Sequence, residues 1–288
     1  MVSRDVNGKL AACLAASGVA AVLLCLAASP ARAQAKLEAV YTATLAGLTV
    51  GKGSWVVDID DNAYSALMSG GTAGLIKMIG GGEGASSVRG LRSGGRSIAA
   101  VFSSQVKTKR KIDQVDVTFE SGAVKDLRVS PPTEPDPGRV PVTDAEKRDV
   151  IDPMTGVLIH IAGNAELVSS AACKRTLPLF DGRFRYNLNL AFKRMDSVRA
   201  EKGYAGPVVV CGVTFAPVAG FVPDRKAVRY LAEMRDAEVW LAPLQGTRVL
   251  APFRVEVPTP LGTGALEARQ FVVTPKPVKA AIKNGKPQ

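Results

Sequence analysis

Along this chain, apolar and polar residues exchange places at every second position. Trp55, Val57 and Ile59 share one face of a run that begins near Gly53. Val115, Val117 and Phe119 alternate with Asp116, Thr118 and Glu120. The longest line is Phe184, Tyr186, Leu188, Leu190 and Phe192, set against Arg183, Arg185, Asn187, Asn189 and Ala191. Val209, Cys211, Val213 and Phe215 form another, followed by Phe253, Val255 and Val257, then Phe271 and Val273. Period-two alternation predicts strands with one dry and one wet face. Many such runs joined by turn residues predict a mainly β fold. It is an antiparallel curved sheet, barrel-like (a β-spiral or half-barrel), with one or two short helices.

The connections are readable too. Asp60-Asp61-Asn62 and Glu120-Ser121-Gly122 read as hairpin turns. The Asp/Asn cluster lacks the spacing and terminal Glu of a calcium loop, so a plain turn is expected. A short helix is predicted over residues 153–161, with Asp152 as N-cap, Pro153 at the first position and an end near Gly163-Asn164. A second is predicted over 225–236, capped by Asp224, with Val228, Leu231 and Ala232 on one face. Residues 72–85, rich in Gly, read as a flexible segment. The stretch 130–143 carries Pro131, Pro132, Pro135, Pro137 and Pro141 and reads as an extended loop within one domain, 34–273. Residues 274–288 hold Lys276, Lys279, Lys283 and Lys286 without an acid and read as a disordered basic tail.

Residues 1–33 have the form of a signal peptide. Arg4 and Lys9 precede an apolar stretch over 10–28, and Ala31-Arg32-Ala33 ends in a small-x-small pattern, so cleavage is expected after Ala33. The alternative is a membrane anchor, since that stretch just suffices to span a bilayer. A lipidation signal around Cys13 or Cys25 fits less well. The expected location is the periplasm, peripheral to a membrane if it touches one. After cleavage Cys173 and Cys211 remain, and an oxidising compartment predicts a disulfide between them.

Charge and composition narrow the chemistry. The 288 residues hold 37 Lys+Arg against 26 Asp+Glu, a formal charge of +11, and a single His. One His without Cys clusters excludes most zinc sites, and no metal or cofactor is implied. Lys107, Lys109, Arg110 and Lys111 crowd one stretch. Without interleaved aromatics they do not suggest nucleic acid. A lipid or other anionic membrane surface, or a solvated hairpin, accounts for them.

Four blocks carry a family resemblance. They are Tyr41 with Gly47-Leu48-Thr49-Val50-Gly51, then Asp152-Pro153-Met154-Thr155, then Cys173 through Phe180-Asp181-Gly182-Arg183-Phe184-Arg185-Tyr186, and finally Tyr204-Ala205-Gly206-Pro207 with Cys211 and Pro217-Val218-Ala219-Gly220. Over about residues 38–273 the chain resembles the bacterial envelope proteins grouped as domain of unknown function 3108, in the form found in alphaproteobacteria. The resemblance implies a periplasmic or outer-membrane-associated β-rich protein with no established activity. A looser likeness, of fold alone, is to the curved half-barrels of lipoprotein carriers.

No catalytic motif stands out. Ser104-Gln105-Val106-Lys107 matches Ser-x-x-Lys but lacks its partner motifs. Gly80-Gly81-Gly82-Glu83-Gly84-Ala85 lacks the helix a dinucleotide site needs. His160, within Val157-Leu158-Ile159-His160-Ile161, reads as a half-buried structural residue. The candidate ligand residues are Asp181, Arg183, Arg185 and Tyr186. Two Arg on one strand face can hold an anionic group, or can be the wet side of a strand. Three readings follow. A non-enzymatic binding module for a hydrophobic or lipid-like ligand predicts a cavity lined by Trp55, Phe184, Tyr186 or Phe215. A docking partner of other envelope proteins would use the Pro-rich loop or the tail. An enzyme on cell-wall or lipid substrates predicts a carboxylate of shifted pKa near Arg183 or Arg185.

Overall fold

The computed structural model describes residues 34–74, 81–93 and 96–276. The expected signal peptide lies outside them. Among the described residues no helix is long and apolar enough to cross a membrane.

The chain first lays down a seven-stranded antiparallel meander. Its strands are β1 (Ala35–Leu45), β2 (Leu48–Ile59), β3 (Ala63–Thr72), β4 (Gly82–Ser93), β5 (Arg96–Thr108), β6 (Ile112–Glu120) and β7 (Ala123–Ser130). Both predicted turns are present: 60–62 joins β2 to β3, and 121–122 joins β6 to β7. Ser121 and Gly122 both take positive φ (52° and 78°), the conformation that matches a tight hairpin to the twist of its strands. Of the segment 72–85 expected to be flexible, 75–80 lie outside the described residues, while 82–85 belong to β4. Its first half pairs Gly84 with Gly70 and Ser86 with Met68, so small residues form a ladder that the apolar alternation does not announce.

The second arm begins with α1 (Pro153–Gly156), β8 (Ile159–His160) and a 3-10 turn (Ser170–Cys173). There follow β9 (Arg175–Phe180), β10 (Arg185–Arg199), β11 (Lys202–Gly203), β12 (Ala205–Ala219), α2 (Lys226–Glu233), β13 (Ala237–Leu244), β14 (Val249–Val257) and β15 (Gly264–Pro275). Asp152 caps α1 as predicted, accepting from the amides of Met154 and Thr155 at 2.9 Å each. The helix is shorter than predicted because Ile159 and His160 leave it to pair with Leu250 and Val249. α2 starts one residue later than expected, with Arg225 rather than Asp224 at its cap and no side-chain cap bond.

All strands join one curved sheet, in the order β7-β6-β5-β4-β3-β2-β1-β15-β14-β13-β12-β10-β9, with β8 paired to β14 and β11 to β15 beside this path. The sheet does not close strand to strand. Chain 147–151 runs between its two edges instead. On one side Val124 N donates to Lys147 O and Val150 N to Gly122 O; on the other Ile151 N donates to Pro178 O and Phe180 N to Ile151 O. Both edges thereby lose open backbone groups.

Two cores result. The larger joins both arms through Leu37, Trp55, Val117, Phe180, Phe253 and Phe271. The smaller, around Ile159, Cys173, Leu190, Val209, Cys211 and Leu241, fills the space where chain 159–173 covers the second arm. β12 is therefore dry on both faces, with Val208, Val209, Val210 and Cys211 all 0% exposed, where alternation predicts one wet face. Cys173 and Cys211 form a disulfide, Cα–Cα 5.4 Å, that fastens the 3-10 turn to mid-β12. On β10, Tyr186 and Leu188 are partly buried and Leu190 buried against the smaller core, while Arg185, Asn187 and Asn189 are half-buried too. Phe192 is exposed, and the register shifts just beyond it, between Phe192 and Arg194. At the C-terminal end the expected tail starts too early. Thr274 and Pro275 belong to β15, and Lys276 pairs with Asp58 and Asp60. Residues 277–288 lie outside the described part.

Candidate functional site

The Asp181-Gly182 turn between β9 and β10 is the pivot of the site. The Asp181 carboxylate accepts from the amides of Arg183 (2.9 Å) and Phe184 (2.8 Å). Burial pushes its pKa up, and these two amides and Arg183 oppose the shift. Gly182 has φ +96°, and a Cβ there would lie 2.2 Å from Cγ1 of Val115. Only glycine lets the turn press against β6, across the gap between the arms.

Arg183 follows the turn and reaches over that gap. Its guanidinium donates to Pro131 O (2.9 Å) and Thr133 Oγ1 (3.1 Å), with Asp113 at 3.6 Å. Arg185 opens β10 and folds along it, donating to Tyr186 O (2.8 Å) and Asn187 Oδ1 (2.7 Å). Burial lowers its pKa, and Glu146 works against that. The two arginines thus engage different partners within the fold. Arg183 stands outside the strand, so strand parity does not govern it. Tyr186 packs on Phe215 (5.4 Å) and Phe221 (6.4 Å), and burial raises its hydroxyl pKa. Phe184 stacks on Phe221 at 4.5 Å.

These elements border a cleft of about 1040 Å³. Its first wall comes from β3–β6, through Met68, Phe102, Val106 and Val115. The opposite wall is Phe184, Phe221 and Val222 with Ala227 and Val228 of α2, and Met154 and Val157 lie between. The polar groups Lys111, Asp113, Arg139, Arg183 and Arg225 also border it. Of the four aromatics expected to line a cavity, only Phe184 does so. Trp55 is 1% exposed and packed in the main core. The Pro-rich loop is extended as predicted and pinned down: Val140 exchanges backbone bonds with Gly220 and Phe221, and Asp136 pairs with Arg225 at 2.9 Å.

Sequence reasoning missed Phe221, Val222 and Arg139. All lie on irregular chain where no periodicity operates. It also missed a buried relay. Asp152, 0% exposed, accepts from Thr155 Oγ1, which in turn contacts the Tyr64 hydroxyl. Burial raises the pKa of Asp152 against these hydrogen bonds. The capping pattern was visible in Asp152-Pro153, but its link to Tyr64 on β3 was not. His160 is half-buried, and its pKa is lowered by burial and then by Arg92, Arg248, Arg96 and Arg175. Among the described residues no three His, Cys, Asp or Glu side chains gather as a metal site.

An apolar cleft with a polar border can shelter an apolar chain and hold a polar end at its mouth. The enzymatic reading expects a shifted carboxylate near Arg183, and Asp181 is one. Its hydrogen bonds go to two backbone amides, the geometry of a turn.

Residues 40–269 match the family described as protein of unknown function, DUF3108. No curated protein matches the chain. Among solved structures it is similar to the crystal structure of a beta-barrel-like protein of domain of unknown function DUF1849 from Brucella abortus. The two are 12% identical with a TM-score of 0.47, over 84% of this chain and 99% of that one.

Proposed function

This chain belongs to the DUF3108 family of proteins of unknown function, and we propose that it is an exported envelope protein that binds a hydrophobic, lipid-like ligand without transforming it. The observation that carries this reading is the cleft of about 1040 Å³ with Phe102, Val115, Met154, Phe184 and Phe221 along its walls. Its size is at the upper end of pockets that enclose small molecules, about 300–1,000 Å³. The groups that would do chemistry there are held by the fold: Asp181 by its turn, Arg183 by Pro131, Thr133 and Asp113. A periplasmic location rests on the N-terminal pattern and on the Cys173–Cys211 pair.

The test is native mass spectrometry of the protein purified gently from its cell, followed by lipid extraction. Ala227→Trp, on the exposed helix facing the cleft, narrows it from a position outside either core. A bound species of lipid mass in the wild type, reduced in Ala227→Trp, is the expected result. An unliganded wild type that also fails to take up a fluorescent fatty acid would overturn the reading.

A further inference from the structure

Several hairpin connections lie together at one end of the first arm. Leu45 at the end of β1 pairs with Leu48 of β2 and with Gly264 of β15, and Gly82 of β4 pairs with Thr108 of β5. The β1–β2 and β14–β15 tips touch. Ala46 N donates to Thr263 O at 2.9 Å, and a Cβ on Gly262 would lie 2.8 Å from that of Ala46. Each tip carries a leucine turned to water. Leu48 is 71% exposed and Leu261 75%. The β5–β6 tip at the same end adds Ile112, 51% exposed. Beside it stand Lys107, Lys109, Arg110 and Lys111, all exposed. Glu83 lies 4.0 Å from Lys107 and Asp113 2.8 Å from Lys111, yet both lysine side chains stay 61% exposed. From β15 to β5 this rim crosses five strand spacings, roughly 24 Å. The cleft opens here as well, since Val106, Lys111, Pro131 and Phe184 border it.

We propose that this rim docks on an anionic phospholipid bilayer. Leu48 and Leu261 enter the boundary between headgroups and acyl chains, and the cations of the β5–β6 tip lie against lipid phosphates. Among the described residues nothing covers Leu48 or Leu261, whereas a bilayer supplies an apolar surface for both. Hairpin turns suit shallow insertion because their backbone groups are already paired within the hairpin. Lys and Arg near an anionic leaflet each add attraction that decays over a Debye length. The aliphatic side chains sit on separate tips along the rim, which fits a planar surface better than a peptide. Docking in this way points the mouth of the cleft at the lipid. It goes beyond the ligand-binding reading and holds whether or not the cleft is filled.

The experiment is co-sedimentation of the protein, in the form the cell makes, with vesicles. One set is phosphatidylcholine with a quarter phosphatidylglycerol, the other phosphatidylcholine alone. Binding is expected to the first and to weaken with added salt. Lys109→Ser with Arg110→Ser should lower affinity by about 30-fold, two charges near the surface. Leu48→Ser with Leu261→Ser should lower it about tenfold or more. Lys36→Ser with Lys125→Ser removes equal charge at the opposite end, where β1 begins and β6 turns into β7, and should change it less than about twofold. Lys36 is half-buried and the other five positions are exposed, and unchanged thermal unfolding shows that the fold is intact. Absence of binding to phosphatidylglycerol vesicles, or equal losses in the rim and control variants, overturns the proposal. Lipid carried in the cleft is weighed on the same variants by mass spectrometry, so failure of docking is read separately from an empty cleft.

Discussion

Breaking the Cys173–Cys211 bond releases chain 159–173 from β12. The bridge spans a sequence separation of 38. In the chain-entropy treatment, closing such a loop restricts the unfolded ensemble by about 4 kcal/mol. For a domain of this size each kcal/mol moves the melting temperature by about 2–4 °C. Cys173→Ala with Cys211→Ala should therefore melt about 8–16 °C below the wild type. Calorimetry of both proteins, with and without reductant, makes the comparison. The loss should be local first. Ile159, Leu190, Val209 and Leu241 lie in the small core beneath the stapled segment, so their amides should gain exchange more than those around Trp55. A shift under about 2 °C would refute the chain-entropy magnitude, and uniform loss of protection in both cores would show that the bridge acts on the unfolded chain alone and not also by tethering this cover.

Gly182→Ala should destabilise by about 3 kcal/mol, combining left-handed strain with overpacking against Val115, as read from urea midpoints. Asp181 and Asp152 have folded pKa values raised by burial, so each binds its proton more tightly when folded. Their contribution is complete below the unfolded carboxylate pKa and is lost as pH rises through the folded value. Urea midpoints of Asp181→Asn should thus fall less with rising pH above about 4 than those of the wild type. An unchanged slope refutes that assignment. Tyr64→Phe should cost about 1 kcal/mol, because the lost bond is buried while Thr155 keeps Asp152 as a partner.

Strands with strong alternation were legible. Trp55, Val57 and Ile59 on β2, and Val115, Val117 and Phe119 on β6, face the core as the pattern requires. The turns at 60–62 and 121–122 follow from residues that tolerate tight turn geometry. What stayed hidden was non-local. Gly84 lay in the segment read as flexible, yet it pairs with Gly70 on β3 and Val106 on β5, where the missing side chain allows close approach. The second dry face of β12 depends on a cover delivered by chain 159–173, which its own sequence does not encode. At the site, Asp181 and Arg183 were found, but the groups that Gly182 and Arg183 meet, Val115 for the first and Asp113 and Pro131 for the second, come from the other arm. Parity placed Arg183 and Arg185 on one face, but Asp181 bends the chain before β10 begins.

The pairing of β1 with β15 sets an order of assembly. β1 to β7 form a hairpin series of neighbouring contacts that can fold as the chain emerges. The central seam, from Ala35 against Pro275 to Leu45 against Gly264, waits for the last strand to be made. Until then β1 offers a bare edge, and a segment pausing there is exposed to pairing with other chains. Long-range seams of this kind fold slowly, because the chain must close a large loop before it gains contact energy. Circular permutation would reverse the sequence of events. With residues 34 and 276 already joined by a backbone hydrogen bond, a short link between them and an opening at the Asp60-Asp61-Asn62 turn would let β15 and β1 be made consecutively. The seam would become a local hairpin and should form early.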